Sequence, residues 1–141
     1  MNQPPQSIEG TLRSLRTVHG VLLFAMFTQV LTVEKVLPHQ PRVLNSAFAT
    51  PILVLSIGIV IATVYIRLKM VGPALDTLRS TPDDPTSLAK WRKGVVLSDV
   101  LLDVVVLYGF VLRFQGGTQQ LCVPFYAAGI VLMILWWPKR P

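Results

Sequence analysis

Charged residues are scarce in this sequence. Asp, Glu, Lys and Arg make up 14% of its 141 residues and 52% are hydrophobic, whereas an ordinary soluble domain has about 25% charged residues. Because the scarcity coincides with apolar runs of membrane-spanning length, it predicts an integral membrane protein. A chain of this length has room for about four spans and for no large soluble domain.

Cysteine and catalytic motifs are also sparse. The single cysteine, Cys122, has no partner for an internal disulfide, which excludes a paired-thiol redox enzyme acting alone. The sequence shows no metal-ligand cluster, phosphate loop or nucleophile–base pair, and no aromatic–basic pattern typical of nucleic-acid binding. We therefore predict a protein that is not an enzyme and has no nucleic-acid partner.

Four apolar runs approach the roughly 20 residues that cross a bilayer. They are 17–33, 48–66, 94–112 and 121–137. Backbone amides in lipid must bond internally, so each run is predicted to be a helix. The basic residues before the first run are also typical of a secretory signal, but the charged, proline-containing segment after it favours a retained span.

The remaining segments are polar. Residues 1–13 are predicted to form an N-terminal tail, and residues 14–69 a transmembrane hairpin. Residues 70–93 are predicted to be a cytoplasmic connection that ends in an interfacial helix start, where Asp84 can cap the helix and Pro85 can occupy its first position. Residues 94–141 form the second predicted hairpin.

Basic residues are distributed unevenly between the two sides of the predicted spans. Ten of the 13 Lys and Arg residues fall on one side and three on the other, which predicts a multi-pass protein with both termini in the cytoplasm of a bacterial inner membrane. The aromatic and basic residues expected to anchor that side in the headgroup region are Trp91, Arg92, Lys93, Trp136, Trp137, Lys139 and Arg140.

The two halves share a weak internal repeat. The segment LRTVHGVLL (15–23) resembles WRKGVVL (91–97), and TPILVLSIGIVI (50–61) resembles VPFYAAGIVL (123–132). The four apolar runs predict an all-α, integral membrane four-helix bundle. The repeat further predicts that the bundle is built from two duplicated hairpins, related by an axis along the membrane normal.

Duplicated hairpins with an acid inside a span resemble small four-span bacterial inner-membrane proteins. They are also similar in plan to the proteolipid subunits of rotary ATPases. That family has a glycine-rich first helix in each hairpin and its ion-binding carboxylate on the second helix. This chain lacks the glycine run and has its acids on the first helix of its second hairpin, so the family's ion site is not carried over to Asp99 or Asp103.

Asp99 and Asp103 interrupt the third apolar run. Four residues apart on a helix, they share one face, with Asp103 at mid-span and Asp99 one turn closer to the cytoplasm. A charge at that depth is costly, so each acid must face protein or water, find a partner or hold a proton. Two interpretations remain open, namely hydrogen bonding between helices or subunits, and the handling of protons or cations.

His19 and Gln29 are polar residues in the first span. His19 has a depth close to that of Asp99, so we expect a His19–Asp99 contact and a Gln29–Asp103 contact. A bis-histidine haem needs a second histidine at matching depth, and the other histidine, His39, falls in the outer connection. We therefore predict no cofactor within this chain, while a haem or quinone shared with another subunit remains open.

These features favour a non-enzymatic accessory or scaffold subunit, which contacts the lipid bilayer and either other membrane subunits or further copies of itself. The alternative is a small oligomeric transporter, coupled to protons or cations through Asp99 and Asp103. A third possibility is a redox subunit that shares haem or quinone with a partner.

Overall fold

The computed structural model describes residues 7–36, 46–82 and 84–140. The regular structure in these ranges is entirely helical. Its α-helices are α1 (Ile8–Leu31), α2 (Ser46–Ile66), α3 (Gly72–Ser80), α4 (Pro85–Phe114) and α5 (Gln119–Leu135). Two five-residue π-helical turns extend this framework, Thr32–Val36 after α1 and Arg67–Val71 between α2 and α3.

Three helical segments among the described residues are long and apolar enough to cross a membrane. They are Ile8–Val36, Ala47–Ser80 and Pro85–Phe114. The last helix, α5, is apolar but has 17 residues, which gives ~26 Å at 1.5 Å per residue, slightly less than the ~30 Å of a typical hydrocarbon layer. The described part of the chain is thus an all-α bundle with three helical segments of spanning length and one shorter apolar helix.

The helices reach further than the apolar runs indicate. The Ser7 hydroxyl caps α1 by accepting from the Gly10 amide at 3.2 Å, so residues 8–13, predicted as tail, are helical. Residues 70–80, predicted as part of a polar connection, are helical as well. As predicted, Asp84 caps α4. The start of the predicted tail and most of the outer connection, including His39, lie outside the described residues.

Helix α4 is the centre of the bundle. Helices α1, α2 and α5 each pack along it, whereas α1 and α2 have no extensive contact with each other. The helices of the predicted second hairpin, α4 and α5, are thus direct neighbours, and those of the predicted first hairpin are not. The two halves of the chain are packed differently.

Glycines allow the close approach of α4 and α5. A Cβ added to Gly129 would lie 2.3 Å from Val106 Cγ2, and one added to Gly109 would lie 2.7 Å from Tyr126 Cε1. Both distances are too short for a side chain. Small residues at such positions let the backbones of membrane helices come close together, and Gly129 serves α5 in this way.

Two hydrophobic clusters form the core. The larger one lies between α1, α2, α4 and α5 and includes Met26, Leu102 and Met133. The second is built by α3 and the first turns of α1 and α4 around Trp91, which is 1% exposed. We call this second region the Trp91 end of the bundle. The opposite end, where Arg113 contacts Glu34, is the Arg113 end.

Candidate functional site

Asp99 is the centre of a buried polar network. It lies on α4, about two helical turns from Trp91, and is 1% exposed. Its Oδ2 atom lies 2.8 Å from His19 Nδ1, and its Oδ1 atom accepts a hydrogen bond from Arg67 Nη2 at 2.9 Å. Both carboxylate oxygens are therefore engaged. The expected His19–Asp99 contact is present, and Arg67 adds a countercharge that the sequence analysis did not identify.

The second contact of His19 defines where its protons lie. Its Nε2 atom is 2.9 Å from the carbonyl oxygen of Met133, and because a carbonyl only accepts, Nε2 carries a hydrogen. When Asp99 is ionised, Nδ1 donates as well and the ring is an imidazolium. When the ring is neutral, the same geometry requires the proton on the Asp99 carboxyl. In both forms one proton lies between Nδ1 and Oδ2, and no ring lone pair is free for a metal.

Arg67 brings its charge to Asp99 from the π-helical turn that follows α2. Its side chain is 12% exposed. The guanidinium carbon lies 5.1 Å from the ring centre of Trp136, within the range of a cation–π contact, and Nη1 donates to the Trp136 carbonyl at 3.4 Å. The arginine therefore joins the end of α2 to both α4 and the end of α5.

The C-terminal end of α5 receives a third basic side chain. Arg16 Nε donates to the carbonyl of Pro138 at 3.2 Å, in addition to the His19 and Arg67 contacts just described. The last carbonyls of a helix lack partners within it and form the negative end of its dipole. His19 and Arg67 reach the carbonyls of Met133 in the last turn and of Trp136 at the cap, while Arg16 contacts the segment that follows, and together they fix the end of α5 against the rest of the bundle.

Asp103 has a different environment, although it lies one turn further along the same helix. It is partly exposed, and its Oδ1 atom accepts from Gln29 Nε2 at 3.2 Å. The expected Gln29–Asp103 contact is therefore present. The amide oxygen of the same side chain, Gln29 Oε1, is buried without a hydrogen-bond partner in the described part of the chain.

An ion pair closes the Arg113 end. Arg113 Nε and Nη2 donate to the two carboxylate oxygens of Glu34 at 3.0 and 3.3 Å, and Nη1 donates to the Gly117 carbonyl at 2.8 Å. This bidentate geometry is typical of a guanidinium paired with a carboxylate. It links the turn after α1 to the end of α4.

The three tryptophans predicted as interface anchors have partners inside the bundle. Trp91 is enclosed in the cluster that bears its name. Trp136 lies beneath the Arg67 guanidinium, and Trp137, 40% exposed, contacts the His19 ring edge-on with 4.9 Å between ring centres. Trp91, predicted as an anchor at the headgroup level, is covered by α3 and the first turns of α1, which extend past the apolar runs.

The four basic residues of the predicted anchor set are exposed. Arg140 pairs with Glu9 near the start of α1. Arg92 and Lys93 form no ion pair with any described residue, and Lys139 lies between Pro138 and Arg140 after the end of α5. The side chains of Arg92, Lys93 and Lys139 are exposed to solvent or to lipid headgroups.

The network can bind helices together and can hold a proton. In the described ranges no three His, Cys, Asp or Glu side chains are grouped to hold a metal. Sequence reasoning missed Arg67 because an arginine directly after an apolar run was interpreted only as a topological charge. Its position at a depth near that of Asp99 was the signal that could have identified it.

No family model, no curated protein and no solved structure matches this chain.

Proposed function

We propose that this protein is a non-enzymatic accessory or scaffold subunit of a larger membrane complex. The observation that carries the proposal is the full partnering of the buried Asp99–His19 pair. Both oxygens of Asp99 and both ring nitrogens of His19 have partners within the chain, and the two residues are at most 1% exposed. A buried pair with these partners, joined by Arg67, stabilises one arrangement of α1, α2, α4 and α5.

In this proposal the chain crosses a bacterial inner membrane four times, with the Trp91 end in the cytoplasm. The excess of Lys and Arg on that side supports the orientation. Helix α5 is short for a span, and local thinning of the bilayer at modest cost accommodates such a helix.

Helix α2 supplies the surface for a partner. Its outward side chains are apolar, with Val54 at 62% and Ile61 at 63% exposure. A Cβ added to Gly58 would meet nothing within 4 Å, so this glycine is not needed for packing within the chain. Gly58 and Ala62 are both exposed and four residues apart, a spacing that lets helices of membrane proteins approach closely. We propose that a neighbouring subunit or a second copy packs here.

The test is assembly in mild detergent. We expect the wild-type protein to elute as a complex, with its components identified by mass spectrometry, and Gly58→Leu to elute as a smaller species with unchanged helicity. Gly20→Leu is the matched control, because a Cβ at Gly20 also meets nothing within 4 Å but lies on α1. A wild-type protein that is monomeric in detergent and in nanodiscs, or an unaffected Gly58→Leu, would contradict the proposal.

The second candidate function is a small oligomeric transporter coupled to protons or cations. It is favoured by the partial exposure of Asp103, which has one neutral partner, and by the unpartnered Gln29 Oε1 beside it. Proteoliposomes with an imposed pH gradient separate the two functions. Proton flux that disappears in Asp103→Asn while assembly is retained would replace the scaffold proposal with this one.

A further inference from the structure

A cleft of about 440 Å³ lies between α1 and α4 at the Trp91 end. Helix α4 lines it with four residues that share one side of the helix, and α1 contributes residues one turn apart. The lining residues are Ser14, Leu15 and Val18 of α1 and Ala89, Arg92, Lys93 and Val96 of α4. The cleft belongs neither to the Asp99 network nor to the exposed face of α2.

The lining changes from basic to apolar along the cleft. Arg92 and Lys93 directly precede the apolar run 94–112, and Val96 lies within it. On α1, Ser14 precedes the apolar run 17–33, which includes Val18. The cleft therefore crosses the level at which each helix passes from polar sequence to membrane-spanning sequence, which in a bilayer is the boundary between headgroups and acyl chains.

The two cations in the cleft have no countercharge among the described residues. Both side chains are exposed, and neither takes part in an ion pair with the described part of the chain. Here the paired positive charges open onto an apolar surface, a combination complementary to a molecule with an anionic head and a hydrocarbon tail.

We propose that this cleft binds one anionic glycerophospholipid. The phosphate lies between Arg92 and Lys93 with the Ser14 hydroxyl as a further donor, and one acyl chain lies along Val18 and Val96. Phosphate is a preferred ligand of Arg and Lys side chains. The inference rests on the proposed membrane placement, with the Trp91 end at the cytoplasmic surface, but it does not require a partner subunit.

Native mass spectrometry of the purified protein tests the site. The probes are phosphatidylglycerol and phosphatidylcholine with identical acyl chains, added in equal amounts to protein in mild detergent. We expect a preference for phosphatidylglycerol that falls by roughly 10- to 30-fold in Arg92→Gln/Lys93→Gln, since each basic residue near the surface contributes ~1 kcal/mol.

Two further variants separate the cleft from general basicity. Lys69→Gln/Lys90→Gln removes the same charge from exposed positions that do not line the cleft, and it should keep the preference. Ala89→Trp fills the cleft from an exposed position without changing the charge, and it should reduce the bound phosphatidylglycerol several-fold. Glycerol phosphate, which has the head without the chains, should not displace the lipid.

Three results would overturn the inference. Equal losses in the two double variants would mean that the basic surface attracts anionic lipid without a site. Full binding by Ala89→Trp would show that no lipid lies in the cleft, and displacement by glycerol phosphate would indicate a site for free anions. A missing partner subunit would contradict the proposed function and leave this result standing, whereas a chain absent from the membrane fraction would remove both.

Discussion

Asp99 and Asp103 are the same residue type, one helical turn apart on α4, and yet they have different environments. Asp99 is 1% exposed and contacts an arginine and a histidine. Asp103 is partly exposed and contacts one amide. The comparison teaches that the depth of an acid in an apolar run shows only that its carboxylate needs hydrogen-bond partners or a countercharge. The neighbouring helices that meet at that level decide which partners it has.

The difference follows from where the chain brings donors to α4. At the level of Asp99, α1 contributes His19, the turn after α2 contributes Arg67, and the end of α5 offers carbonyls to both of them. At the level of Asp103, the polar partner among the described residues is Gln29 from α1. A buried carboxylate with a countercharge and a second donor can stay ionised, whereas a half-exposed one with a single amide depends more on water or on its own proton.

The largest effect is expected for Asp99→Asn. The substitution leaves the Arg67 charge and the His19 proton without a carboxylate, and removing one partner of a buried pair costs about 3–5 kcal/mol of the free energy of unfolding. Asp103→Asn is the matched control, and it should cost less than about 1 kcal/mol because it keeps an acceptor for a neutral partner. SDS titration of the protein in mixed micelles, followed by circular dichroism, measures both. Equal losses would show that the two acids are energetically alike.

A second set of variants changes both members of the Arg67–Asp99 charge pair. Arg67→Met alone leaves Asp99 short of a countercharge and should be strongly destabilising, by about 3–5 kcal/mol. The double variant Arg67→Met/Asp99→Leu removes both charges but leaves the buried His19 Nδ1 without its partner, so it should lose less stability than the sum of the two single variants without reaching that of the wild type. The coupling free energy from this double-mutant cycle is the measurement. Additive losses would mean that Arg67 and Asp99 contribute to stability independently.

Much of this arrangement could be predicted from the sequence. The length of the apolar runs gave the helices, because lipid allows few alternatives to intrahelical hydrogen bonds. Matching depths gave the His19–Asp99 and Gln29–Asp103 contacts, because both helices were predicted to start on the same side. Arg67 could not be assigned to Asp99 in this way, because a pattern along one helix does not show which neighbour its long side chain reaches.

The Trp91 end was harder to predict for a different reason. Residues 8–13 and 70–80 are polar enough to be expected as tail and connection, yet both are helical. Each contributes an apolar face, with Leu12 and Leu78 at 5% and 1% exposure, and the two faces enclose Trp91. Tertiary packing of a few apolar side chains outweighed local composition, and it buries Trp91 within this end of the bundle.

A smaller effect is expected for Gln29→Leu. The change removes the hydrogen bond to Asp103 and also removes a buried amide oxygen that lacks a partner. Losing the bond costs about 1 kcal/mol and losing the unpartnered oxygen recovers a similar amount. We therefore expect the SDS midpoint to stay close to that of the wild type. A large loss would indicate that Gln29 Oε1 has a partner, such as water or another subunit, in the membrane.

The smallest effect on stability is expected for Asp84. This acid lies outside the apolar runs and caps the start of α4 instead of bonding to a neighbouring helix. Its Oδ2 atom accepts from the Ser87 amide at 2.8 Å and caps α4. Hydrogen bonds from the Ser87 side chain and backbone hold the pKa of Asp84 below its usual 3.8. A pKa lowered by folding means that the ionised cap stabilises the helix start above the unfolded pKa. That contribution is lost as the pH falls through the folded pKa.

Amide hydrogen exchange at the first turn of α4 checks this expectation. Asp84→Ala should increase exchange of the Ser87 amide, because Ala offers no acceptor to the cap. Asp84→Asn should retain protection at neutral pH and lose its dependence on acid, since an amide caps a helix without titrating. Protection of this amide in the wild type, taken relative to its intrinsic exchange rate at each pH, should decrease only below pH 3.8. Protection that decreased at a higher pH would point to a different titrating group, and it would show that this acid, unlike Asp99, contributes nothing through its charge.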